Sequence, residues 1–309
     1  MSGLKAYEEM QYRCIKENLC TYCGACVGMC PYLLAYRGNI ICRDTCSLDR
    51  GRCSAFCPRI GVDVETLHGF MFGSPYEDSD IGLVKDIFIG RAVEPEILSA
   101  GQYGGVVTAL GCVALDEGMV DSIVATDSSD KSLPFGRITS TKEDLIGCAG
   151  SSYVASATLE AFNRVVKEDN IQKIAAICTP CQALALANMR LSDLAEQNSM
   201  RKLELVIGLF CTWALTYEGF ATYLKKRVSL SEVTKVDIPP PPANTFDVYC
   251  KTSGCVSLPL DDVRSYIREA CTYCIDMTAE FTDISVGAAE GIEGWNTVIV
   301  RSKKGLELI

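Results

Sequence analysis

Histidine is almost absent, since the 309 residues hold one, His68, beside 18 cysteines. Metal sites of mixed cysteine and histidine type are thereby nearly excluded, and thiolate is left as the abundant soft ligand. A basic excess is also lacking: 29 Lys and Arg face 39 Asp and Glu, for a net charge of -10. Such a chain has no field to hold a phosphate backbone, so nucleic acid is not an expected partner. Long apolar runs are missing too, and even Leu203 to Leu215 falls well short of the roughly 20 residues that span a bilayer. Met1 to Met10 (MSGLKAYEEM) contain no apolar export signal. The expectation is a cytoplasmic protein with reduced thiols and no transmembrane segment. Its hydrophobic share of 48% suffices for a folded core.

What is present is cysteine, unevenly placed. Nine lie between Cys14 and Cys57, and the rest are scattered from Cys112 to Cys274. Cys20, Cys23, Cys26 and Cys30, followed by Pro31, form the C-x2-C-x2-C-x3-C-P run of bacterial two-cluster ferredoxins, in which three thiolates wrap one cube and the fourth reaches a second. Cys42, Cys46, Cys53 and Cys57 with Pro58 supply the complement, its loop lengthened by Ser47 to Arg52. On this arrangement Cys20, Cys23, Cys26 and Cys57 hold one [4Fe-4S] cluster, and Cys30, Cys42, Cys46 and Cys53 another. Gly24, Gly28 and Gly51 suit the close backbone approach that donates N-H bonds to cluster sulfur. Two structural zinc sites of four cysteines each are the plainer alternative, disfavoured by the contracted first run and the prolines after each set.

A two-part organisation follows, with a small ferredoxin-like domain and linker over residues 1–80 and a larger unit over 81–309. Gly69 to Asp86 reads as the linker, which makes His68 an exposed loop residue. The larger unit alternates strand-like and helical stretches, predicting an α/β core within an overall α+β / α/β chain. Predicted strands are Ile87 to Ala92, Ser122 to Thr126, Lys173 to Cys178 and Glu204 to Phe210. Predicted helices are Gly105 to Glu117, Ser156 to Lys167, Gln182 to Arg190 and Tyr217 to Arg227. A hairpin turns across Lys251 to Gly254, and two short strands lie within Asp283 to Arg301. Cys181 and Cys211 then follow two strand ends, which an α/β sheet delivers to one crevice, and Cys271 and Cys274 form a C-x2-C pair. From spacing alone these four can be a site or buried structural thiols. Cys14, Cys112, Cys148, Cys178, Cys250 and Cys255 read as structural, with Cys178 the readiest exception.

Six stretches resemble a known family, the beta subunit of coenzyme F420-reducing hydrogenase and the related F420-linked dehydrogenases. They are Gly101 to Thr108 (GQYGGVVT), Thr179 to Gln182 (TPCQ), Leu209 to Cys211 (LFC), Cys271 to Thr278 (CTYCIDMT), Asp283 to Gly287 (DISVG) and Gly294 to Arg301 (GWNTVIVR). The resemblance covers roughly 82–309 in the family's order. It implies an FAD-binding domain with a mixed sheet and a third [4Fe-4S] cluster on Cys181, Cys211, Cys271 and Cys274. It also places the flavin in the α/β crevice near Gly101, Gln102, Gly104, Gly105, Val106 and Thr108. A helix N-terminus there would attract an anion, although a plain turn needs the same glycines. Ser151, Ser152 and Tyr153 could donate to the cofactor, or a serine could cap a helix. Asp276 and Thr278 could face the isoalloxazine or cap a turn. The ferredoxin part is a fusion that only some relatives carry, and the family pattern leads one to expect further helix after Ile309.

The activity so implied is that of an oxidoreductase subunit in which FAD exchanges hydride with coenzyme F420 or NAD(P) and single electrons pass through three clusters to or from a partner. Hydrogenase, formate dehydrogenase and heterodisulfide-reductase-like subunits are the expected partners. A stand-alone reductase of an organic substrate is the alternative, and a flavin-free ferredoxin-like connector is a third reading. No side chain is required as acid or base. Trp295 reads as packing rather than flavin shielding.

Overall fold

The computed structural model describes residues 4–129 and 133–309. The first cysteine-rich stretch builds a short hairpin of β1 (Leu33–Tyr36) and β2 (Asn39–Cys42). After it come the strands β3 (Asp86–Gly90), β4 (Ser122–Asp127), β5 (Phe135–Thr139), β6 (Ile174–Cys178) and β7 (Leu203–Leu209). β8 (Val233–Asp237), β9 (Thr245–Cys250) and β10 (Gly254–Pro259) form a separate three-stranded antiparallel sheet, and β11 (Ile284–Ala288) and β12 (Asn296–Val300) return to the main one.

The main sheet has seven strands in the order β3-β12-β11-β7-β6-β4-β5. Its centre is parallel: β11 pairs with β7, β7 with β6 and β6 with β4. Every residue of β6 (IAAIC) is buried, as expected of a strand covered on both faces. β12, β3 and β5 join antiparallel, so the sheet is mixed. Helix Val106–Asp116 packs on one face through Val106, Cys112 and Ala114. Helices Leu159–Val165 and Pro180–Leu191 pack on the other through Phe162, Val165, Leu186 and Met189.

The N-terminal unit is joined to this second face by direct packing. Cys23, Ala25 and Phe56 belong to the same buried cluster as Phe162 and Met189. Asn163, fully buried, donates its amide to the carbonyls of Gly24 (3.2 Å), Ala25 (2.9 Å) and Val27 (2.7 Å). Lys167 Nζ reaches Gly28 O at 2.8 Å and Asn188 Nδ2 reaches Cys57 O at 3.2 Å. Gly24 has φ +87°, and a β-carbon there would stand 2.6 Å from Ala157 O, so both conformation and contact require glycine.

Two expectations are corrected. His68 is not an exposed loop residue: it lies in helix Val64–Phe72, is 4% exposed, and pairs through Nδ1 with Ser74 O at 2.9 Å. The rings of Phe72 and Tyr76 enclose it, a burial that the glycine and acid content of the neighbouring stretch conceals. The helix predicted from Ser156 starts at Leu159 instead, because residues 154–157 run alongside Leu215 and the N-terminal unit. Among the described residues no helix is long and apolar enough to cross a membrane.

Candidate functional site

Parallel pairing sends the carboxyl ends of β4, β6, β7 and β11 to one edge of the sheet, where crevices form in open α/β folds. Cys181 follows β6 at the start of helix Pro180–Leu191, whose first turn is fixed by reciprocal bonding between Thr179 and Gln182. Cys211 follows β7, and its N-H donates to Met277 O at 2.9 Å, drawing the loop of Cys274 towards it. Cys271 lies in the tight turn Glu269–Tyr273, and its sulfur accepts the Ala214 N-H at 3.4 Å. Burial pushes the Cys211 thiol up, and Cys181, Cys271 and Cys274 around it push in the same direction. These four thiols therefore share one neighbourhood.

The nine N-terminal cysteines separate into two further groups. Burial and the neighbouring Cys23 and Cys20 hold Cys26 well above the usual thiol range. Cys57 also faces Cys23 and Cys20, and closes this group. Cys53, pushed up to about 11 by burial, faces Cys30 and Cys46, and Cys42 faces Cys30. The groups adjoin: Cys26 faces Cys53, and Cys23, pushed up to about 12 by burial, faces Cys181 next. Cys178, fully buried, lies beside Cys181 and Cys23. Among the described residues no three His, Cys, Asp or Glu groups converge closely enough to hold a single metal ion.

Cys14 was not expected in such company. It is fully buried on the turn Gln11–Ile15, and its sulfur is 3.8 Å from that of Cys57. The group of Cys20, Cys23, Cys26 and Cys57 is thus lined by a fifth thiol. Spacing gives no hint of it, because Cys14 precedes the ferredoxin run by a full turn of chain.

The segment Gly101 to Thr108 lies at the same edge, tied there by the Ala92 N-H to Gly104 O bond of 2.8 Å and by Asn296 beside Val106 N. A β-carbon at Gly104 would meet Asn296 Oδ1 at 2.6 Å, and one at Gly101 would meet Gly105 Cα at 2.9 Å, so the chain's own packing already demands these glycines. Gly105 has φ +67°, and Tyr103 has a positive φ of 56° although it is not glycine, a strained state that clusters at functional sites. Val106 and Thr108 are buried in the core. Gln102 donates through Nε2 to Asp237 and to Tyr153 Oη, the latter at 3.2 Å. Its Oε1 is buried and has no partner among the described residues. Tyr153, pushed up to about 12 chiefly by burial, has its ring 6.0 Å from that of Trp213 at a tilt of 39°, two residues beyond Cys211.

Ser152 Oγ reaches Val154 O at 3.5 Å, and neither Ser151 nor Ser152 caps a helix. Asp276 accepts from Thr278 N and Glu280 N, both at 3.0 Å, and Thr278 Oγ1 donates to Ile81 O. Asp276 thus serves its own turn, whereas Thr278 ties that turn to Ile81 and accepts from Arg301 at 2.9 Å. A groove of about 830 Å³ between helices Tyr217–Lys225 and Leu260–Arg264 is lined by Tyr223, Lys226, Arg227 and Tyr266 and contains none of the expected site residues.

A mixed sheet carrying grouped thiols and a strained glycine loop at its carboxyl edge is the layout of a redox protein. Residues 87–163 match the family "Coenzyme F420 hydrogenase/dehydrogenase, beta subunit N-term", and residues 171–309 match the corresponding C-terminal family. The chain belongs to the coenzyme F420 hydrogenase/dehydrogenase beta-subunit family, a family of oxidoreductases. It is 30% identical over 227 residues to a coenzyme F420 hydrogenase subunit beta of Methanococcus voltae, covering 72% of this chain and 79% of that protein. A coenzyme F420-dependent sulfite reductase of Methanocaldococcus jannaschii is 28% identical over 320 residues, 98% of this chain but 47% of the relative. That match takes in the N-terminal residues that precede the two family regions. The structure resembles a chain of the F420-reducing [NiFe] hydrogenase complex from Methanosarcina barkeri, with TM-score 0.69, 27% identity, and 75% and 80% of the two chains covered.

Proposed function

We propose that the chain is an F420-linked electron-transfer module that binds FAD and three [4Fe-4S] clusters and serves a partner redox enzyme in a reducing cytoplasm. The observation that carries this reading is the sorting of twelve cysteines into three adjoining neighbourhoods of four. The donor chemistry fits cubes: buried thiols that raise one another need a cationic core before all four can be thiolates. Residues 1–80 then form the two-cluster ferredoxin-like domain and 81–309 the FAD-binding domain.

A flavin supplies the exchange between paired hydride electrons and the single electrons that iron-sulfur clusters carry. The chain's own residues support that group in several ways. Gln102 offers an unpaired buried acceptor to a ligand N-H or O-H, and donors on both Tyr103 and Tyr153 line the same space. The first turn of helix Val106–Asp116 contains no acid to repel a phosphate. Asp276 and Thr278 contribute by fixing the Cys274 loop, Asp276 by bonding within its turn and Thr278 by tying that turn to Ile81 and Arg301. The Ala214 N-H, aimed at the Cys271 sulfur, stabilises a reduced cluster there.

The match to a sulfite reductase, spanning 98% of this chain and 47% of that relative, and the matches to hydrogenase beta subunits support a module that exchanges electrons with a further redox domain or subunit. Anaerobic isolation followed by flavin and iron assay tests the reading. One flavin and about twelve irons per chain are expected, four for each cube. Zinc in place of iron, or absence of flavin, refutes it. Reduced F420, NADH and NADPH compared as donors identify the carrier, with F420 expected to be the efficient one.

A further inference from the structure

The two cysteine-bearing units exchange arginines across their junction. Arg59 follows the Cys57-Pro58 pair of the N-terminal unit, and its guanidinium crosses to the turn that bears Cys271 and Cys274, donating to Tyr273 O at 3.1 Å and to Ala270 O. Arg268, from the other unit, crosses back: it donates to Cys20 O through Nε at 3.2 Å and a terminal nitrogen at 2.9 Å, and to Gly38 O at 3.0 Å. Arg268 is 8% exposed and forms no ion pair with a carboxylate, and neither does Arg59 among the described residues. Arg59 lies near Cys181, Cys271 and Cys274, and Arg268 lies near both Cys20 and Cys271.

Two guanidiniums with no carboxylate partner among the described residues, held by carbonyls and, for Arg268, also by the Tyr22 ring at 5.8 Å, are unusual between two groups of thiols in a chain of net charge -10. A carbonyl clasp fixes position while leaving the positive charge uncompensated, and in a site of low dielectric such charge acts on whatever gains an electron nearby. We propose that Arg59 and Arg268 form a reciprocal clasp that sets the reduction potentials of the first and third clusters and holds them at a fixed separation. The inference rests on the cluster reading above. Both arginines are positioning residues, since their charge acts through the cysteine loops that they grip. Reduction adds a negative charge to each cluster, so the clasp raises both potentials.

The test is anaerobic redox titration of the full chain, followed by electron paramagnetic resonance, with iron counted in the same samples. Arg59→Gln retains a hydrogen-bonding head but loses the charge. Its iron content should equal that of the unaltered chain, and at a fixed poise the reduced-to-oxidised ratio of the third cluster should fall about tenfold, equal to about 59 mV for a one-electron couple. Arg59→Lys restores charge without the fork and should return the potential most of the way. Unchanged potentials in Arg59→Gln with full iron overturn the proposal, as does an equal shift in Arg59→Lys, which would mean that hydrogen bonding and not charge matters. Arg268→Gln repeats the measurement at the first cluster. A shortage of iron in the unaltered chain would instead refute the cluster reading, so the two failures are distinguishable.

Discussion

Asn163 offers the sharpest test of how the N-terminal unit is held. Its polar contribution is made through Nδ2, which serves three carbonyls at 2.7 to 3.2 Å, while Oδ1 has no partner among the described residues. All three belong to the loop between Cys23 and Gly28, and the residue is fully buried. Two amide hydrogens cannot satisfy three acceptors separately, so Asn163→Ala removes about two full hydrogen bonds. An unmade bond to a buried acceptor costs about 1–3 kcal/mol, so two give a loss of about 2–6 kcal/mol. Asn163→Asp keeps the shape but turns an oxygen towards the carbonyls, and at neutral pH also buries a charge. It should be the more damaging of the two. Burial raises the folded-state pKa of that new carboxyl above its unfolded value. Stability in the Asp variant should therefore be greatest below the unfolded value and fall as pH rises through the folded one. Anaerobic urea unfolding of the holoprotein, with iron counted alongside, measures both effects. An Asp variant as stable as the unaltered chain at pH 7.5 would refute the account of this contact.

Further expectations concern single side chains. Cys181→Ser should lower iron by about four atoms per chain while flavin stays bound, and the remaining clusters should no longer be reduced through the flavin; undiminished iron would remove Cys181 from the third set. Cys14→Ala should keep the full iron content, because Cys20, Cys23, Cys26 and Cys57 complete a set without it, and should cost about 1 kcal/mol in packing; loss of four irons would make Cys14 a ligand. Glu280 is pushed up to about 7 by burial and by the Asp276 carboxylate. Its neutral form is the one the fold favours, so stability should decline as pH rises from about 4.5 to about 7. In Glu280→Gln that decline should flatten, as followed by thermal unfolding across the range.

The central strands could be read from the chain because β6 is apolar throughout and β7 apolar except at Glu204, and the β9-β10 hairpin because Phe246, Val248 and Cys250 alternate with polar residues. β5 (FGRIT) and β8 (VTKVD) escaped notice, since an edge strand with glycine, arginine or lysine carries little periodic signal. Domain packing was not legible either. The composition of Gly69 to Asp86 suggested a loose linker, yet Phe72 and Tyr76 within it bring their rings around the adjoining His68. The ferredoxin spacing announced eight cysteines from sequence, whereas Cys181, Cys211, Cys271 and Cys274 could be grouped only through family resemblance, because sheet topology brings them together. Arg59, Arg268 and Asn163 left no trace at all. Each acts on backbone carbonyls of a remote segment, and carbonyls carry no sequence signature.

The order of the thiol groups in space follows from how the N-terminal run is interleaved. Cys57 returns to the group of Cys20, Cys23 and Cys26, while Cys30 leaves it for the group of Cys42, Cys46 and Cys53, so these two groups must be neighbours, as the contact of Cys26 with Cys53 reflects. Asn163 and Asn188 then dock the Cys20 group, and not the other, against the helices that flank β6, which puts Cys23 beside Cys181. From Cys211 the path continues through Trp213 and Tyr153 to Gln102. The group of Cys20 therefore occupies the middle position, and on the proposed reading every electron that travels between the flavin loop and the outermost cysteines must cross the junction gripped by Arg59 and Arg268. Control exerted at that junction would govern the whole path, which explains why two arginines without carboxylate partners are placed there and not at either end.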